Sequence, residues 1–100
     1  MRELEDRQKS RATRVKRDSL DRALLDLAAY YRDVLAVQVG AEVELANAGR
    51  ADELGRLAST SIPADTVRRI EAIMKCRERL AANVAPLLAV EELTLSLVSR

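Results

Sequence analysis

The sequence predicts an all-α protein: a small bundle of about four to five helices, the first of them long. Three observations carry that prediction. Sixteen Ala and fifteen Leu stand against two Tyr, with no Phe and no Trp; Ala and Leu head the helix-propensity order, whereas β-branched and aromatic residues favour strands. Only three Gly and two Pro interrupt the chain. From Leu20 to Gln38, Leu20, Leu24, Leu27, Tyr31, Val34 and Gln38 recur in alternating steps of four and three, which stacks them along one helix face. At 100 residues the chain has room for one modest core.

The first helix is expected from Arg2 to Val39, a stretch without Gly or Pro. Its two halves differ. Residues 1–19 hold few aliphatic side chains larger than Ala and read as an exposed basic extension; residues 20–100 read as the packed domain. Gly40 suits a left-handed helix cap. The run Ala41–Asn47 is compatible with a strand or with one or two helical turns, and Asn47-Ala48-Gly49 reads as a turn. Leu54 and Leu57, with the acid-first pair Asp52–Arg56, predict a short helix over 52–59. Pro63 and Asp65 then open a second long helix, because proline and an acid both suit a first turn. Its buried face is expected along Val67, Ile70, Ile73 or Met74, Leu80 or Ala81, and Val84. Pro86 starts the last helix, in which Leu87, Leu88, Val90, Leu93, Leu95, Leu97 and Val98 surround most of the circumference. A helix apolar nearly all round is deeply buried or covered by a partner; Leu93, Leu97 and Val98 are the candidate interface.

The charge balance is +1 with a third of the residues charged, so overall charge selects no partner. The run Arg7–Arg17 holds six Lys or Arg and no acid. Arg11, Arg14 and Arg17 are candidate weak phosphate contacts, although acids flank the run and a solvated helix face is the better reading. Cys76 shares a face with Ala72, Ile73 and Leu80 and reads as a core residue. With one Cys and no His, neither an internal disulfide nor a zinc site is expected, and no catalytic constellation, metal or cofactor site is assigned. No apolar run reaches the roughly 20 residues of a membrane span, and a cytoplasmic location is expected. Glu91 falls on an apolar side of the last helix, between Leu87, Leu95 and Val98. A buried carboxylate needs a partner, and pairing with Arg32, or with the hydroxyl of Tyr30 or Tyr31, is expected.

Two stretches go beyond a generic bundle. LDRALLDLAAYYRDVLAVQVGA, Leu20 to Ala41, followed by LANAGRADELGRLA, resembles the opening of the C-terminal domain of the bacterial DNA polymerase III clamp-loader subunit delta-prime, especially its actinobacterial forms. LAANVAPLLAVEELTLSL, Leu80 to Leu97, is similar to that domain's closing pattern of an Asn followed by a proline-started leucine helix. The resemblance implies a collar domain. Five such helical domains pack side by side in a ring that holds nucleotide-binding modules together for sliding-clamp loading in DNA replication. It also implies that the partners are the other loader subunits, that DNA is met only through the full complex, and that the basic extension connects to an upstream module. The isolated domain is expected to self-associate in place of absent neighbours.

Two alternatives compete. Length and the long first helix also resemble the helical chorismate mutases, in which Arg and Lys stabilise a dicarboxylate transition state. Those enzymes place a Lys just after the glycine matching Gly40, where this chain reads AEVELANAG. The third reading, a small basic nucleic-acid-binding protein, rests on Arg7–Arg17 alone.

Overall fold

The computed structural model describes the backbone of residues 2–98 and the side chains of residue 11 and residues 14–98. Arg7 and Lys9 of the basic run therefore lie outside the described side chains. Four α-helices follow one another: α1 (Arg2–Gln38), α2 (Ala51–Thr60), α3 (Pro63–Ala81) and α4 (Pro86–Val98), with a 3-10 turn at Ala48–Arg50 leading into α2. No strand occurs among the described residues, and none of their helices is long and apolar enough to cross a membrane. At about 1.5 Å per residue, α1 is about 55 Å long, which accounts for the molecule's 58 Å longest dimension.

Helix α1 is the spine. Both α2 and α3 pack on it, and α4 packs on α3. The main core joins Leu24 and Ala28 of α1, Ile73, Cys76 and Leu80 of α3, and Ala89 and Leu93 of α4. Leu20, Leu27, Tyr31, Ala72, Val84 and Leu97 close over it. Val34 and Leu54 are fully buried outside that cluster, on α1 and on the α2 that packs against it. Each such side chain contributes about 1.5–3 kcal/mol by leaving water.

The helix ends follow local chemistry. Gly40 has a φ of 68°. There the Ala41 N–H donates to the Ala36 carbonyl and the Gly40 N–H to that of Val37, the paired bonds of a Schellman stop. The end of α3 repeats the device with Asn83, the one non-glycine at positive φ among the described residues. Val84 N–H donates to Arg79 and Asn83 N–H to Leu80. Asn tolerates the left-handed region better than other non-glycine residues, which gives the Asn of the closing pattern a backbone role. Pro63 occupies the first turn of α3.

Some expectations shift. Residues 41–45 form neither strand nor helix. On α3 the buried line is Thr66, Ile73, Cys76 and Leu80, whereas Val67, Met74 and Ala81 are exposed. Thr66 goes inward in place of Val67 because it lies in helical phase with Ile73, and Gln38 accepts a hydrogen bond from its buried hydroxyl at 2.7 Å.

Candidate interaction surfaces

Clefts lined by described residues flank the spine on two sides. The first, of about 560 Å³, lies between α1 and the C-terminal half of α3, and its charged lining is Arg14, Arg17 and Arg77 against Asp18, Asp21 and Glu78. Arg77 Nε and Nη2 donate to the two Asp21 carboxylate oxygens at 2.7 and 3.3 Å. This hydrogen bonding holds the Asp21 carboxyl below its usual range and the Arg77 guanidinium above its own. Arg17 donates to the Asn83 side-chain oxygen. Three cations facing three acids leave the cleft without a field that would concentrate an anion.

The second cleft, of about 600 Å³, lies between α1 and the segment leading into α2. Across it Tyr30 Oη donates to Glu53 Oε1 at 2.9 Å. Burial and that bond, in that order, push the tyrosine hydroxyl above its ordinary value. Asp33 is the one buried carboxylate among the described residues. It accepts hydrogen bonds from the Ala46 and Asn47 N–H groups at 2.9 and 2.7 Å, and from the Asn47 amide at 2.9 Å. Burial would raise its carboxyl, but these donors and the charge of Arg32 hold it below the usual range. Asp33 thereby anchors the irregular 41–47 connection to α1.

The pairing expected for Glu91 is not made. Glu91 and Arg32 are both exposed, and Tyr30 serves Glu53. The carboxylate that pins α4 is the next residue: Glu92 meets Arg79 Nε at 2.9 Å and Lys75 Nζ at 3.7 Å. The reason is helical phase. Residues two apart point to nearly opposite sides of a helix, so with Ala89 and Leu93 buried, Glu91 points outward. Glu92 flanks the buried side.

The candidate interface changes for the same reason. Leu93 is buried in the core and Leu97 packs against it, so of the three expected residues only Val98 remains exposed. The outward face of α4 consists instead of Leu87, Leu88, Leu95 and Val98, each 59–73% exposed. Glu91 lies along its midline, with Thr94 beside it, also exposed. On the wheel these six positions span only about 120°, so the apolar side chains form one continuous stripe. Of the candidate phosphate contacts, Arg11 and Arg14 are exposed and Arg17 is half-buried on Asn83.

Cys76 is buried, and its thiol faces the Ala89 carbonyl at 3.5 Å. Burial, then the Glu92 charge, pushes the thiol up, the opposite of what a nucleophile requires. No group of three or more His, Cys, Asp or Glu side chains able to hold a metal ion occurs among the described residues. No protein-family model, curated protein or solved structure matches the chain.

Proposed function

We propose that this chain is an assembly domain of the collar type, which packs beside other subunits of a DNA polymerase III clamp loader and acts without catalysis of its own. The observation that carries the reading is the outward face of α4. A 13-residue helix devotes one side to the core and turns four large aliphatic side chains to solvent on the other. The internal packing has no use for that second side, and contiguous exposed apolar surface marks a contact site. The resemblance of Leu20–Ala41 and Leu80–Leu97 to the delta-prime C-terminal domain supplies the identity of the neighbours, and the cytoplasmic location goes with it.

In this reading α1 carries the connection from an upstream module, and the Asp21–Arg77 and Asp33 contacts keep the helices in register so that α4 is presented in one orientation. DNA is reached only through the assembled ring. The test is to mix the chain with the other loader subunits and measure particle mass by light scattering. Incorporation into a heteromeric ring is expected. Failure to co-assemble, or measurable chorismate turnover by the isolated chain, would overturn the reading.

A further inference from the structure

We infer that the outer face of α4 docks on an apolar partner surface that carries a Lys or Arg opposite Glu91, and that the same carboxylate prevents two copies of this face from pairing. The inference rests on the assembly reading for the existence of a partner and adds the chemistry that partner must have.

Glu91 lies along the midline of a stripe whose other members are Leu87, Leu88, Thr94, Leu95 and Val98, and it is exposed. The cations on α3 that reach α4 are engaged elsewhere: Lys75 and Arg79 with Glu92, about 100° around the helix from Glu91, and Arg68 with the Ser96 carbonyl at 2.6 Å. In the free chain the position costs nothing, because water solvates the carboxylate. Once a surface covers the stripe, that water is lost, and a buried carboxylate without a cation or donor is strongly unfavourable. A purely apolar cover therefore fits poorly, whereas an apolar cover with one Lys or Arg gains a desolvated, charge-assisted contact at its centre.

A second copy is the obvious apolar cover, and symmetry rules against it. Two identical patches pair about a two-fold axis, and residues at the patch centre then meet their own counterparts. Glu91 is the sixth of the 13 residues of α4, so parallel or antiparallel pairing with full overlap sets carboxylate against carboxylate. Like charges in that position suppress the pair. On this inference one residue selects a different partner and rejects self-pairing, the opposite of the self-association expected from the sequence.

The test is a concentration series by sedimentation velocity at neutral pH and low salt, with circular dichroism to verify that each variant keeps its helix content. The wild type is expected to stay monomeric. Glu91→Leu makes the stripe continuous and is expected to dimerise at least about tenfold more tightly than the wild type. Adding Leu88→Asp to that variant should restore the monomer. Glu91→Lys supplies the cation on a known folded surface: its equimolar mixture with wild type should associate at least about tenfold more tightly than either protein alone, and lose that gain at high salt. The inference is overturned if Glu91→Leu associates no more tightly than wild type, or if the mixture shows no gain. None of these measurements needs another loader subunit, so failed co-assembly would remove the clamp-loader reading while leaving this one to stand or fall by itself.

Discussion

Arg77 on α3 grips Asp21 on α1 through two nitrogens at 2.7 and 3.3 Å, fixing how far the second long helix slides along the first. A bidentate guanidinium–carboxylate pair constrains angle as well as distance. The pair stands near the end of the core formed by Leu24, Ile73 and Leu80, so it locks a register that apolar packing has already narrowed. Arg77→Gln and Asp21→Asn are each expected to lower Tm by a few degrees. The double variant should lose less than the sum, because either change alone removes the same contact. Thermal melts at low and high salt check this, and salt should shrink the difference between wild type and variants.

Asp33 anchors the 41–47 connection through three donors, and its removal leaves two backbone N–H groups without their partner. Asp33→Ala is expected to cost about 2 kcal/mol, a Tm drop on the order of 10 °C. Hydrogen exchange at the Ala46 and Asn47 amides should accelerate in the variant. Unchanged exchange would show that the connection holds by other means.

Acid should destabilise the fold through the same carboxylates. Asp33 and Asp21 both titrate lower in the folded protein than in the ordinary range. The unfolded chain therefore binds protons first as pH falls. Their stabilisation is complete above the unfolded value of about 3.9 and is lost as pH drops through the lower folded values. Urea midpoints measured from pH 7 to pH 2 should fall mainly below about pH 4, and the fall should be smaller in Asp33→Ala.

Thr66 and Gln38 join α3 to the end of α1. The buried Thr66 hydroxyl donates to Gln38 Oε1 at 2.7 Å, while Gln38 Nε2 donates to the Ser61 carbonyl and hydroxyl, both at 3.0 Å. Thr66→Val preserves shape but leaves the amide oxygen without that donor, and is expected to cost about 1–2 kcal/mol by urea denaturation. Thr66→Ser keeps the hydroxyl and should preserve the hydrogen-bond part of that energy.

The Cys76 thiol, buried against Ala89 and raised by its surroundings, should react with a maleimide only as the fold opens. Labelling followed by mass spectrometry should be slow in buffer and immediate in denaturant. Fast native labelling would mean that α4 leaves α3 readily.

Composition and spacing were enough for the all-α class, the long first helix, the stop at Gly40 and the starts at Pro63 and Pro86. Each of these depends on the backbone preferences of residues adjacent in the chain. The inward phase of α1 was legible as well, because Leu20, Leu24, Leu27, Tyr31, Val34 and Gln38 recur on one face, and all six are buried or half-buried. Helix α4 was different. With Leu or Val on nearly every side, its pattern has two apolar faces and no internal sign of which one is buried. Only packing against α3 decided that Ala89 and Leu93 go inward, that Glu92 takes the cations, and that Glu91 faces out with Leu87, Leu88, Leu95 and Val98. The same holds for Asp21–Arg77, 56 residues apart, and for Asp33, whose donors come from an irregular loop. Such contacts depend on where separate elements meet in space, which local periodicity does not encode.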